Sequence, residues 1–455
     1  MDAVTLLPPI VAIAIAIFTR NVYAALLVAL LLSESLIEAG NLLTGGLGAI
    51  DRVVAVFESA GNTRILLFCL VIGALIAFMR DSGGVAAMAR RLIKKGWAGT
   101  RRRAELAVAG TGTAIFIETN VSILSAGILG RPLYDAHGLS RERLAYIIDS
   151  TSAPVSVILL INGWGAYALG LIEPYGFENS VGVVAGSVPW NFYALLTLAT
   201  VYLTVLTGKV FGPMKAADGA VSAPQASAPE AAPLPAGKAR YMALPLIVMV
   251  LGALSFMTWT GGGNPIEGSG SQSILWAIVL ATLLAGLLLW RDKVFSLPEL
   301  QEKAFQGIGE MVPMVTVLLL SIALGGSLRA LGTGDYVATM AAGTLPPFVV
   351  PFILFLAAAL TSFMTGTSWG TYGILIPIAM PLAQALGLPP SLALAAVLGG
   401  GVFGDHCSPI SDTTLIASVG AGTDHLDHVK TQAPYALVAA GVASIAYLVA
   451  GVFIG

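Results

Sequence analysis

Charge is scarce in this sequence. Only 11% of its 455 residues are Asp, Glu, Lys or Arg, against about 25% in soluble globular chains, which excludes an ordinary water-soluble domain. Cysteine is scarcer. Cys69 and Cys407 both sit in apolar runs, so no disulfide framework is indicated. There are four histidines, and the run Asp405-His406-Cys407-Ser408 packs its donors too closely for a structural zinc site. No cofactor is expected. A net charge of −2 points to no charged partner, and the basic stretch 90–103 is read as facing anionic lipid heads rather than nucleic acid. The N-terminus lacks the basic region and small-residue cleavage site of a signal peptide, so residues 6–18 read as part of the mature protein.

Apolar residues make up 56% of the chain. Many runs of about 20 are long enough to cross roughly 30 Å of hydrocarbon. Ten spans are read at 4–18, 22–37, 65–79, 143–171, 189–210, 241–260, 274–290, 312–329, 391–418 and 435–453. Two further regions, 104–133 and 345–386, are apolar but broken near the middle by polar clusters. They predict re-entrant hairpins. With this layout, one side of the membrane holds 20 of the 23 Lys and Arg residues. That side is then cytoplasmic, and both termini lie outside.

An Ala/Pro-rich segment within residues 211–240 cannot bury apolar surface and predicts a disordered cytoplasmic linker. It divides the chain into halves, 1–210 and 241–455, that resemble each other at spacings of 248 to 256. In particular, Asp149-Ser150-Thr151-Ser152-Ala153-Pro154 pairs with Asp405-His406-Cys407-Ser408-Pro409. The fold expected is an all-α polytopic membrane protein of two inverted repeats. Each repeat has five spans, one re-entrant hairpin and one broken helix (143–171 and 391–418). Such repeats place a transport site at the membrane midplane.

Four polar clusters should meet there. The first tip offers Glu118, Thr119, Asn120 and Ser122, and the first break offers Asp149, Ser150, Ser152 and Ser156. The second tip offers Thr365, Thr367, Ser368 and Thr371, and the second break offers Asp405, His406, Ser408, Ser411 and Asp412. Carboxylates within apolar runs need a partner or a function. Together with hydroxyls they form hard oxygen ligands. Asp405, Ser408, Asp412, Thr367 and Ser368 are the expected sodium ligands, and Asp405, Asp412, Asp149 and Glu118 the candidate proton carriers. Trp164, Tyr167, Trp369 and Tyr372 either line a pocket or pack. Asp424, His425, Asp427 and His428 are expected past the helix, outside the hydrocarbon, as capping or gating groups, with the histidines able to sense pH.

The run G-D-H-C-S-P-I-S-D-T-T from Gly404, with G-A-G-T-D-H-L-D-H-V-K-T-Q-A-P-Y-A-L from Gly420, resembles the NhaC family of sodium/proton antiporters. S-R-E-R-L-A-Y-I-I-D-S-T-S-A-P-V from Ser140 and G-T-S-W-G-T from Gly366 resemble it too. The resemblance implies a homodimeric secondary transporter of the bacterial inner membrane with an elevator mechanism. It implies sodium and protons as transported ions. The family's paired aspartates at the first tip are replaced here by Ile117-Glu118. The family also includes carriers of organic solutes, so a sodium- or proton-coupled amino acid, amine or carboxylate is the alternative cargo. A channel is disfavoured because tips that stop at the midplane close a pore. A hydrolase is disfavoured because neighbours such as His406 and Cys407 do not face each other.

Overall fold

The computed structural model describes residues 3–94, 99–159, 161–220, 237–264, 268–344 and 346–454. Among them every regular element is a helix. The first half contains α1 (Leu7–Thr19), α2 (Val22–Ile37), α3 (Leu42–Ala55), α4 (Ala60–Asp81), α5 (Gly84–Lys94), α6 (Arg101–Ala114), α7 (Thr119–Ala136), α8 (Arg141–Ile158), α9 (Gly163–Ile172), α10 (Ser180–Ser187), α11 (Phe192–Thr207) and α12 (Pro213–Ala220). The second contains α13 (Arg240–Thr260), α14 (Gly270–Arg291), α15 (Leu297–Leu331), α16 (Thr333–Thr344), α17 (Val350–Thr365), α18 (Ser368–Ala385), α19 (Pro390–Cys407), α20 (Asp412–Ala421) and α21 (His425–Ile454).

Local chemistry sets the helix ends. Asn21, Ser59, Thr100, Ser140, Asn162, Asn191 and Ser411 cap N-termini through their side chains, and Ser296 with Glu299 forms a capping box. Gly208, Gly332, Gly366 and Gly422 close C-termini in the left-handed conformation.

Against ten predicted spans, six helices are long and apolar enough to cross a membrane: α4, α13, α14, α15, α17 with its leading turn, and α21. Counting three bent pairs as single spans gives up to nine. One of these pairs is α8 with α9, bent by 43°. The polar clusters explain the shortfall. They divide the chain into helices of 18 and 10 residues at α8 and α9, and again at α19 and α20.

The two halves share a register. Subtracting the start of α7 from that of α18 (368 less 119) gives 249, as do α8 with α19 (390 less 141) and α9 with α20 (412 less 163). The ends of each pair differ by the same amount. At this register Asp405 is level with Ser156. Asp149 is level with Leu398, so the predicted pairing of Asp149 with Asp405 is corrected.

Glycines let the helices pack closely. A Cβ on Gly307 of α15 would stand 2.8 Å from Ala77 Cβ of α4. One on Gly404 of α19 would stand 2.7 Å from Phe363 N of α17. The linker expected at 211–240 is partly ordered. Residues 213–220 form α12, where Met214 is buried. Asp218 pairs there with Arg101 at 3.0 Å and Arg143 at 2.8 Å, and accepts from Ser140 Oγ at 2.7 Å. Residues 221–236 lie outside the described residues.

Candidate functional site

Each tip joins its neighbouring break by a hydroxyl. In the second half Ser368 Oγ, at the start of α18, donates to Asp405 Oδ2 at the end of α19, at 2.9 Å. In the first half, Thr119 Oγ1 at the start of α7 and Ser156 Oγ near the end of α8 lie 3.2 Å apart. Both pairs span 37 residues, as the shared register requires. Trp164 Nε1 of α9 also donates to Thr119 Oγ1, at 3.1 Å. Chemistry therefore differs between matched positions. The second half places a carboxylate where the first places a serine.

Asp405 is buried, and its Oδ1 has no hydrogen-bond partner among the described residues. A buried carboxylate oxygen without a donor calls for a cation or a proton. Ser408 holds the break shape instead. Its hydroxyl donates to Phe363 O at 2.8 Å and accepts from Ile410 N at 3.3 Å. Ser411 caps α20 through Thr414 N at 3.3 Å.

A cavity of about 470 Å³ is lined by Thr119 of the first pair and by Thr367 and Trp369, the neighbours of Ser368, with Asp405 and Ser156 outside its lining. The first residues of four helices line it: Glu118, Thr119 and Asn120 of α7, Gly163 and Trp164 of α9, Thr367, Trp369 and Gly370 of α18, and Asp412 of α20. Each helix N-terminus carries about half a positive charge. Glu118 and Asp412 offset part of this field. Glu118 Oε1 and Oε2 accept from Asn120 N at 3.1 Å and Val121 N at 2.6 Å, and Asp412 Oδ1 accepts from Thr413 N at 2.9 Å. The indole rings of Trp164 and Trp369 lie 4.3 Å apart and form an aromatic wall. The opposite wall comes from Ile72 and Ile76 of α4 and Met311, Met314 and Val317 of α15. Exposed Arg20, Asn21, Tyr23 and Glu310 stand at the mouth.

The remaining predicted residues lie outside this lining. Ser122 donates to Gly112 O at 2.9 Å, and Ser152 donates to Ile148 O at 2.7 Å and meets Ser122 Oγ at 3.0 Å. Thr365 and Thr371 bond back to Thr361 O and Thr367 O at 2.8 and 2.9 Å. Ser150 is buried on α8. Of the aromatics, Tyr167 and Tyr372 pack, donating to Trp369 O and Leu398 O at 2.8 Å each.

Asp149 lies behind α19 and α20, beside residues the sequence placed outside the hydrocarbon. Gln432 Nε2 donates to Asp149 Oδ2 at 2.7 Å, and His428 Nε2 stands 3.4 Å from the same oxygen. His406 Nδ1 meets Tyr193 OH at 3.0 Å. His428 is thus corrected from a loop position to a fully buried one. Asp424 does cap α21, accepting from Leu426 N at 2.9 Å and Asp427 N at 3.1 Å. Gln432 and Tyr193 escaped sequence reading. A Gln one turn beyond a His in the motif H-V-K-T-Q was the available signal.

Comparisons with known proteins agree on a transporter. Residues 155–452 match a family described as the Na+/H+ antiporter family. An uncharacterized protein of Haemophilus influenzae is 31% identical over 98% of this chain and 90% of its own length. The malate-2H+/Na+-lactate antiporter of Bacillus subtilis is 33% identical over 35% of this chain and 34% of its own. The crystal structure of the Alcanivorax borkumensis YdaH transporter, described as having an unusual topology, superposes with a TM-score of 0.59. It covers 89% of this chain and 88% of that one at 14% identity, a likeness of fold alone.

Proposed function

The chain belongs to the Na+/H+ antiporter family, and from that premise we propose that it exchanges sodium for protons across the bacterial inner membrane, with Asp405 at the exchanging centre. The observation that carries this reading is the unpartnered, buried Oδ1 of Asp405 beside the Ser368 hydroxyl. Sodium satisfies the ionised carboxylate and a proton neutralises it. The two compete for one group. Sodium here is cargo. Ser368, Thr367 and Asp412 are the oxygen donors proposed to complete its shell, while the hydroxyl of Ser408 is engaged within the break.

The shared register of 249 supports two inverted repeats with re-entrant hairpins. The cavity lies between α2, α4 and α15 on one side and the tips and breaks on the other. That arrangement supports an elevator movement of the second group against the first. Both termini lie outside, and two copies form a homodimer in this reading. The decisive test is flux in proteoliposomes. A sodium gradient should drive saturable proton movement in the wild type, and Asp405→Asn should abolish it. Absence of sodium-driven proton movement overturns the proposal. Full exchange by Asp405→Asn overturns the assignment of that residue.

One observation favours an organic cargo as the second reading. A cavity of about 470 Å³ with an indole wall is far larger than a sodium ion requires. Glu118 and Asp412 offer carboxylates to an amine and the helix N-termini offer N–H groups to a carboxylate, a pairing that suits a zwitterionic or amine-bearing solute. A thermal-shift screen of sodium, protons, amino acids and amines separates the readings. Stabilisation by a solute, followed by its sodium-dependent uptake, establishes the second. Stabilisation by sodium alone leaves the first.

A further inference from the structure

Behind the cavity, α8, α19, α20 and α21 enclose a cluster that the cavity does not include. Asp149, His406, His428, Gln432 and Thr414 are each fully buried. Asp149 Oδ2 accepts from Gln432 Nε2 at 2.7 Å and Thr414 Oγ1 at 3.4 Å, with His428 Nε2 at 3.4 Å. Asp149 Oδ1, Gln432 Oε1, His406 Nε2 and both ring nitrogens of His428 have no hydrogen-bond partner among the described residues. The other titratable groups acting on Asp149 are Asp405, His406 and Cys407 of α19, Asp412 of α20 and Tyr193 of α11. None is a Lys or Arg. Among the described residues, the imidazoles of His406 and His428 are the cationic groups that act most strongly on Asp149.

We propose that Asp149 and His428 form a proton-carrying centre separate from the cavity-side carboxylates, with Gln432 as its positioning residue. The inference rests on the sodium/proton reading above. A fully buried carboxylate beside a neutral imidazole is an uncompensated charge, which burial strongly opposes. In the proposal the cluster keeps one compensating proton, on an imidazole as an ion pair or on Asp149 as a neutral acid. That proton leaves only when another cation replaces its charge.

Two links reach the sodium side. Thr414 Oγ1, besides contacting Asp149, donates to Asp405 O at 3.2 Å. Gln432 Nε2, besides contacting Asp149, donates to His406 O at 3.0 Å. A sodium ion arriving at Asp405 is felt at Asp149 across one hydroxyl and one amide. The N–H bond of His428, or the O–H bond of Asp149, then breaks and its proton passes to water. With Asp405 ionised before sodium arrives, one positive charge enters the buried region as one leaves; where Asp405 carries a proton, that proton leaves as well.

The test uses the full chain. In proteoliposomes, sodium-driven proton flux is measured across pH for the wild type and His428→Gln. Protons released on adding sodium to the purified protein are counted with a pH indicator dye. In His428→Gln the pH of half-maximal flux should move by about one unit or more, a tenfold change in proton affinity. Proton release near neutral pH should fall about twofold or more, while half-saturating sodium at the pH of maximal flux stays within about threefold. A purely structural role would not move the pH profile with sodium affinity retained. If His428→Gln does not yield folded protein, Gln432→Met is read the same way. An unchanged pH profile with unchanged proton release overturns the inference. A wild type without any sodium-driven proton movement removes the exchange reading itself, and the pair with it.

Discussion

Ser368 is the residue whose role is most sharply separable from that of its neighbour. Its hydroxyl donates to Asp405 Oδ2, while Oδ1 has no hydrogen-bond partner among the described residues. A hydrogen bond to a charged group contributes about 1.5–3 kcal/mol. Its loss should be felt when Asp405 is ionised, which is the sodium-bound form. Ser368→Ala is expected to raise half-saturating sodium about tenfold or more while the maximal rate is largely kept. Flux titrated with sodium at fixed pH checks this, and an unchanged half-saturation would dissociate Ser368 from the cation. Asp405, Asp412 and Glu118 were legible in the sequence because a carboxylate within an apolar run stands out. His428 and Gln432 were not legible. They follow two exposed acids, Asp424 and Asp427, and nothing in a polar run tells which members turn inward. Burial there is decided by the packing of α21 against α8, α19 and α20, which is tertiary information.

At the scale of elements, the crossing of α4 and α15 gives the clearest prediction. Gly73 and Gly307 lie against each other there, and an added Cβ on either would meet the partner's backbone. Gly307→Leu should force the helices apart, lowering the melting temperature and the yield of monodisperse protein. Gly309, two residues on and exposed, has no atom within 4 Å of a built Cβ. Gly309→Ala should be neutral or stabilise by roughly 0.5–1 kcal/mol through helix propensity. Parallel thermal melts of the two variants check the contrast, and equal losses would remove the packing explanation. The helix interruptions near 115–118, 159–162, 366–367 and 408–411 were readable from polar clusters and Gly or Pro punctuation. The register between halves was not. Pairing Asp149 with Asp405 uses a spacing of 256, seven more than the 249 of the helix bounds. Seven residues are nearly two helical turns, so the slipped pairing keeps the same helix face and similar chemistry. Only the helix ends and the tip-to-break bonds distinguish the two.

For the whole molecule, the question is which side the cavity serves. Its mouth carries Arg20, Tyr23 and Glu310, and Glu310 is paired with Arg80 at 2.7 Å. Arg20 and Arg80 belong to the basic loops that the charge rule assigns to the cytoplasm. Under the proposed topology the described conformation is open inward, with Thr367 lining the cavity. This yields a labelling prediction. In a background with Cys69→Ala and Cys407→Ala, Thr367→Cys should react with a membrane-impermeant maleimide in inside-out vesicles. In right-side-out vesicles it should react at least about tenfold more slowly. The proposed elevator movement would carry the tip to the other face, so conditions that favour the outward state should reverse the ratio. Sodium should shift the rates in the vesicles where the site is exposed. Equal labelling from both sides under all conditions would describe a pore. Labelling from the outside alone would invert the topology. Either result would break the link between basic loops, cavity mouth and exchange centre on which the inward-open assignment depends.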